Sequence, residues 1–434
     1  MGLSGNFHIL TLGCPKNRVD SESLLSLLTN HGFYHVNNAG EADTVLINTC
    51  GFIQAAKDES IEEILEIVSG KSNGQKVVVF GCLAQRYMEE LKRELPEVDA
   101  FFGVNSHEKI LAFLETETSG TRNTEPESCN PQPATRNPGS YAYLKIADGC
   151  NRGCSFCAIP GIRGRFISLS PDSIVQRAEE LINSGTRELI LVAQDITSYG
   201  REFRGYGLCE LIEEITSLPG DFRLRLLYMY PTAIDEKLIA TISGNEKVCK
   251  YLDIPLQHTE DRVLGLMKRN GSRNTYTELI NNIRKKIPDV TLRTSFILGF
   301  PSESNEEFTA LLNFIREMEF ERLGAFTYSR EDGTSSYNLG DTIPEKEKER
   351  RYHELMMLQA GISLEKNRAM LDTVVRVLVD EVTDGIALCR YEGQAPEIDG
   401  MVIVNPVNNI VEVGDFINVR ITEAYDYDLK GEQV

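Results

Sequence analysis

Short apolar runs, each followed by a stretch of helical periodicity, organise most of this chain. Three such units open it. Residues 7–12 predict a strand that ends in Gly13-Cys14 and leads into a helix around 21–30. Residues 44–47 predict a second, ending in Asn48-Thr49-Cys50 before a helix around 53–68, and residues 76–80 a third, ending in Gly81-Cys82 before a helix around 84–95. The cysteines are 36 and 32 positions apart, about one βα unit, and each sits where strand hands over to helix. In a parallel sheet such strand ends share one edge, where ligands bind, so three cysteines distant in sequence can meet in space.

Residues 121–135 (TRNTEPESCNPQPAT) break the pattern with Pro, Thr and Asn, which reads as a linker. From 136 to 366 six more strands are predicted, at 142–147, 188–193, 223–228, 251–254, 291–298 and 323–328, separated by helical stretches such as 172–183 and 305–319. Six βα units in series suggest a partial barrel with chemistry at the strands' C-terminal ends. From 367 to 434 only short strands remain, near 373–380, 386–391, 401–404 and 416–421, as in a small antiparallel β-barrel. The expected fold class is α/β: an N-terminal domain with a parallel sheet (1–120), the linker, a partial (β/α)6 barrel and a small C-terminal barrel.

Composition narrows the setting. With 41% hydrophobic and 25% charged residues in 434, the chain reads as globular. No apolar run reaches membrane-spanning length, and residues 1–12 lack the charged and apolar regions of an export signal. A cytoplasmic protein with no membrane partner is expected. In a reducing compartment the ten cysteines stay reduced, and clustered ones are more often metal ligands than disulfides. The formal charge of −20 argues against a broad grip on nucleic acid.

The sharpest chemical signal is Cys150-Asn151-Arg152-Gly153-Cys154-Ser155-Phe156-Cys157, a CxxxCxxC loop just after the first barrel strand. A structural zinc site takes four protein ligands, whereas this loop provides three, with no further Cys or His in the next few dozen residues. Three thiolates suit a cubane cluster with one iron open to a small molecule, and Gly149 and Gly153 let the backbone wrap it closely. A zinc loop borrowing a distant ligand is the competing reading. Cys14, Cys50 and Cys82 read as a second three-thiolate set, against the bland alternative of three small core residues. Cys209, Cys249 and Cys389 sit among apolar neighbours and read as core; Cys129, in the linker, has no evident role. His258 follows a barrel strand and reads equally as a site residue or a satisfied structural histidine.

The CxxxCxxC loop, with Phe156 before its third cysteine, resembles that of radical S-adenosylmethionine (SAM) enzymes. LGCPKNRVDSE (12–22), NTCGF (48–52) and FGCLAQR (80–86) resemble the N-terminal domain of methylthiotransferases, and the tail resembles their TRAM β-barrel. The resemblance implies two 4Fe-4S clusters and SAM as cofactors. Cys150, Cys154 and Cys157 would hold the cluster whose open iron chelates SAM and whose electron cleaves it to a deoxyadenosyl radical. Cys14, Cys50 and Cys82 would hold the cluster at which sulfur is delivered. It also implies that Phe156 touches the adenine, that Gln194 contacts the methionyl part of SAM, and that 294–301 (TSFILGFP) lies near it. An electron donor such as flavodoxin or ferredoxin would be a partner.

Pro15-Lys16-Asn17, Gly51-Phe52-Ile53 and 193–200 (AQDITSYG) resemble the branch that modifies an aspartate β-carbon in ribosomal small-subunit protein twelve, rather than the branch that modifies tRNA adenosine. Residues 368–434 carry 5 Lys and Arg against 13 Asp and Glu, a charge expected to repel tRNA and attract a basic ribosomal protein, with an ordinary solvated acidic surface as the alternative reading. The rivals are a tRNA methylthiotransferase with the same cofactors and a non-enzymatic ribosome-binding factor using zinc loops for structure.

Overall fold

The computed structural model describes residues 5–118, 139–407 and 411–434. The linker 121–135, with Cys129, lies outside them. Two compact units emerge. One holds the described residues up to 118 together with Cys157–Arg165; the other holds 139–156 and Phe166–Val434.

The first unit carries β1 (Asn6–Thr11), α1 (Pro15–Asn30), β2 (Tyr34–His35), β3 (Thr44–Thr49), α2 (Gln54–Ser69), β4 (Lys76–Gly81), α3 (Cys82–Glu94), β5 (Ala100–Phe102) and α4 (His107–Thr118). The strands form a parallel sheet in the order β2-β1-β3-β4-β5. Its strands are apolar at successive positions because helices cover both faces. Val45, Ile47, Val77 and Val79 pack with Ile64, Leu83 and Leu91, while Phe7, Leu46, Val78 and Phe80 pack with Leu24, Leu28, Ile110 and Leu114. The period-2 alternation of side chains thus supplies two separate cores.

Helix α1 starts at Pro15, directly after Cys14, and not near residue 21. Its first turns bury Asn17, Asp20 and Ser21 rather than apolar residues, so the hydrophobic period begins late. Pro15 at the first helical position costs no hydrogen bond there. Short β5 and two-residue β2 gave too little apolar pattern to be anticipated.

The chain continues through β6 (Tyr141–Lys145), β7 (Ala147–Asp148), α5 (Ile159–Arg163), β8 (Ile167–Ser168), α6 (Pro171–Asn183), β9 (Glu188–Val192), α7 (Leu208–Ser217), β10 (Arg223–Leu226), α8 (Glu236–Gly244), β11 (Val248–Asp253), α9 (Asp261–Leu266), α10 (Arg273–Lys286), β12 (Thr291–Leu298), α11 (Asn305–Met318), β13 (Arg322–Thr327) and α12 (Glu345–Arg368). Of these, α5 belongs to the first unit. The sheet of the second unit is parallel throughout, in the order β13-β12-β11-β10-β9-β6, with β6 and β13 as its two edges. This is the partial barrel expected from six βα repeats. Cys209 and Cys249 are buried in this unit.

The tail forms a closed barrel from β14 (Val374–Thr383), β15 (Ile386–Tyr391), β16 (Val402–Val404), β17 (Phe416–Ala424) and β18 (Leu429–Gln433). All its pairings are antiparallel except β16 with β18. β18 was not anticipated, because LKGEQ is mostly polar and only Leu429 and Gly431 turn inward. Cys389 lies in the barrel core.

This small barrel is fastened to the N-terminal ends of the sheet strands by charge. Glu188, first residue of β9, is fully buried and accepts from Arg223 Nε and Arg225 Nε, each at 2.6 Å, and from Arg390 Nη1 at 3.0 Å. Arg390, on β15, also bonds Asp380. The loop between β15 and β16 adds Glu397, which accepts from Tyr141 Oη at 2.7 Å, and Asp399, which accepts from Tyr251 Oη at 2.7 Å. Burial would raise the Glu188 pKa, yet the three guanidinium groups hold it far below the usual carboxylate range. Its stabilising contribution is therefore complete above the ordinary carboxylate pKa of about 4.3 and is lost as pH falls.

Glu188→Gln leaves buried arginines without their anion and should lower the unfolding free energy by about 3–5 kcal/mol in denaturant titrations at pH 7. The loss relative to the unsubstituted chain should shrink as the titration is repeated toward pH 3.

Candidate active site

Register sets the first cysteine trio. Thr49 of β3 pairs with Gly81 of β4, so Cys50 and Cys82 leave the sheet at the same level; Cys14 follows the neighbouring β1. Adjacent strands lie about 4.8 Å apart, which spreads the three thiols along one edge. Among the described residues no three His, Cys, Asp or Glu side chains close around a point as a single metal ion requires. A cubane is wider than one ion, because each thiolate takes a different iron at a different corner.

Asn17 organises this edge. Fully buried, it donates from Nδ2 to Leu12 O (2.9 Å) and Thr49 O (3.2 Å), while its Oδ1 accepts from Arg163 Nη2 (2.9 Å) and from the Cys82 thiol (3.7 Å). Arg163, at the end of α5, also bonds Asp20 at 2.9 Å and is buried. Ser60 of α2 clasps Cys50, accepting from its N–H and donating to its carbonyl. The backbone comes too close for larger residues. Gly13 has φ +88°, and a Cβ there would lie 2.6 Å from Cys50 Cβ; at Gly51 it would lie 2.8 Å from Leu83 Cα. Burial pushes the Cys50 thiol up, and pushes Cys82 up to about 12 despite Arg163 beside it. In both cases burial disfavours the thiolate; a metal binding there would have to displace the proton.

In the second unit, Ser155 pins the CxxxCxxC loop. Its N–H donates to Met267 O and its hydroxyl to Leu266 O, each at 2.8 Å, and its carbonyl accepts from Ser336 N–H at 2.8 Å. Cys150 accepts from the N–H of Arg152 at 3.4 Å, and burial raises its pKa. Cys154 accepts from Arg269 Nη1 at 3.7 Å. Phe156 packs against Val263, Met267, Phe300 and Tyr328. Cys157 groups with the first unit, as does the helix that follows it.

Around the strand ends, Asp195 is buried and holds Arg152 Nε at 2.7 Å, so this aspartate is spent on an arginine of the cysteine loop. Both amide atoms of Gln194, just beyond β9, are buried without a hydrogen-bond partner among the described residues. His258 is fully buried; its Nδ1 accepts from Glu260 N–H and its Nε2 faces Glu303 at 3.7 Å. Its Nε2 makes no hydrogen bond among the described residues, so the ring is satisfied on one side only and both readings of the histidine stand.

Sequence reasoning missed Asn17, Arg163 and Arg269 as site residues. Asn17 lay inside a quoted motif and carried a weak signal, a polar residue three positions after a cysteine. Arg163 and Arg269 reach their cysteines from 81 and 115 positions away, a separation no local pattern encodes.

The fold class is that of radical SAM proteins. The model of the Radical SAM superfamily matches residues 144–315, the model described as Uncharacterized protein family UPF0004 matches 6–103, and the TRAM domain model matches 373–434. The solved radical SAM methyltransferase TsrM from Kitasatospora setae superposes with a TM-score of 0.59 at 13% identity, covering 89% of this chain and 81% of that one, a likeness of fold. A ribosomal protein uS12 methylthiotransferase RimO from Thermodesulfovibrio yellowstonii is 50% identical, covering 98% of this chain and 99% of its own. The RimO of Aquifex aeolicus is 45% identical, covering 98% and 96%. This chain belongs to the RimO family of ribosomal protein uS12 methylthiotransferases.

Asn17→Ala strips donors from two buried carbonyls and an acceptor from Arg163. It should destabilise the metal-free chain by about 1–3 kcal/mol in guanidinium unfolding, with the loss carried by the first unit's transition.

Proposed function

We infer that this chain is a radical SAM methylthiotransferase that transfers a methylthio group to ribosomal protein uS12, at the β-carbon of an aspartate, with two 4Fe-4S clusters and SAM as cofactors. The observation that carries the reading is the gathering of Cys14, Cys50 and Cys82 at one sheet edge, in a family named for this transfer. An unactivated β-methylene offers no proton that a general base can take. When bound, cluster and SAM together supply the one-electron chemistry that removes a hydrogen atom instead.

The protein's own groups divide the labour. Cys150, Cys154 and Cys157 hold the SAM-facing cluster, and Ser155 fixes their loop on the end of α9. Gln194 offers its orphan amide to the methionyl part of SAM, and Phe156 gives the adenine an apolar wall backed by Met267 and Phe300. Cys14, Cys50 and Cys82 hold the second cluster, with Asn17 and Arg163 orienting and neutralising the edge.

A small low-potential electron carrier, of flavodoxin or ferredoxin type, supplies electrons. The acidic tail favours a basic protein substrate over tRNA. A reducing compartment such as the cytoplasm, which keeps thiols free to bind metal, supports this reading. No helix among the described residues is long and apolar enough to cross a membrane.

Purified enzyme incubated anaerobically with SAM, reductant and either uS12 or tRNA should add the methylthio mass to uS12 only, read by mass spectrometry. Modified tRNA beside untouched uS12 would overturn the substrate assignment. Iron and sulfide should reach about eight of each per chain, and about four in Gly13→Ala, where the new Cβ displaces Cys50.

Cys154→Ala should abolish deoxyadenosine formation from SAM. Cys50→Ala should leave it measurable while no methylthio product forms; product from Cys50→Ala would refute the division of roles.

A further inference from the structure

Beside the cysteine loop stands a cation with no counter-ion among the described residues. Arg269 follows α9 and is nearly buried, 9% exposed. Its Nη2 donates to Pro255 O at 2.6 Å and its Nη1 to Cys154 Sγ at 3.7 Å, while its Nε has no partner among the described residues. No carboxylate among them pairs with it. Its neighbour Arg152 provides the contrast, because Asp195 neutralises that guanidinium at 2.7 Å. Both guanidinium groups lie by the Tyr230 ring, at 3.8 Å for Arg152 and 4.6 Å for Arg269.

The segment bearing Arg269 is held rigidly. Arg269 N–H bonds back to Leu264 O, Lys268 takes a left-handed φ of +53°, and Asn270 N–H donates to Tyr230 Oη at 3.2 Å. Tyr276 Oη donates in turn to Asn270 O at 3.2 Å, and its ring leaves no room for a side chain at Gly271. The same turn supplies the two carbonyls that pin Ser155. Arg269 is thus fixed relative to Cys154 through one short piece of backbone.

A buried, uncompensated cation is costly unless an anion arrives. One group it touches that can become an anion is the Cys154 thiol. We propose that Arg269 is a positioning residue that sets the reduction potential of the cluster held by the Cys150 loop, by directing an N–H and an unpaired positive charge at Cys154 sulfur. The inference rests on the cluster assignment made above. Reduction brings one electron from an external low-potential donor into the cluster; no bond to Arg269 forms or breaks, and its protons stay in place. The electron adds negative charge beside a fixed cation, so Arg269 stabilises the reduced state and raises the potential.

The test is an EPR-monitored redox titration of the full chain with both clusters reconstituted. The signal that changes on adding SAM marks the cluster of the Cys150 loop. Arg269→Gln, which keeps an N–H donor but loses the charge, should lower that signal's midpoint, so that about tenfold fewer chains are reduced at a fixed donor potential, or about 59 mV for one electron. Arg269→Lys should recover part of the difference. Deoxyadenosine formation by Arg269→Gln should fall with a weak donor and return with a stronger reductant, a rescue that a folding defect would not allow. An unchanged midpoint in Arg269→Gln, even with weakened SAM binding, would overturn the proposal. Absence of any SAM-responsive iron–sulfur signal in the unsubstituted chain would instead bring down the cluster assignment, and the inference with it.

Discussion

Parallel strands end together, and that constraint underlies the chemistry of this chain. Because β1, β3 and β4 run side by side in one direction, whatever follows each of them is delivered to the same edge. A cysteine placed just past each strand becomes part of one site without any local motif. The price is an edge of unpaired backbone groups, and Asn17 meets it by bonding the carbonyls of Leu12 and Thr49 while presenting its own oxygen to Cys82 and Arg163. The same geometry recurs in the second unit, where the cysteine loop follows β6 and Gln194 and Asp195 follow β9.

The opposite ends of the second sheet are closed by a different device. Glu188, Arg223, Arg225 and Arg390 form a buried charged knot between sheet and small barrel, and Asp399 and Glu397 extend it to tyrosines on β11 and β6. Buried ion pairs are weak sources of net stability but punish mispairing heavily. Removing any one member would leave a buried charge uncompensated, so the knot ties the tail and the sheet to one another. Function and fastening therefore occupy opposite strand ends, and neither intrudes on the other.

Two arginines with different surroundings illustrate how the protein manages charge near its thiols. Arg163 is neutralised by Asp20 and stands beside Cys82, whose thiol nonetheless stays protonated without metal because burial dominates. Arg269 has no such carboxylate among the described residues and directs an N–H at Cys154. A cation that is shared with an aspartate orients; one that is unshared changes the energy of adding an electron.

Much was legible beforehand. Strand-turn-cysteine repeats, the six βα repeats and the strand-only tail marked out the three main sheet systems, because each rests on local periodicity or short spacing. The start of α1, the fifth barrel strand and the true partners of the cysteines were not legible. In the first turns of α1 the buried face is polar, so hydrophobic period and helix start part company; β18 is mostly polar and is held by ladder pairing with β16 and β17. Which residue faces Cys82 or Cys154 depends on loops that return from 81 and 115 positions away. The amino-acid sequence by itself determined which thiols can be ligands and where each strand ends. Only the tertiary structure decided which cations stand beside them, since electrostatic neighbours are chosen by folding in space and leave no period along the chain.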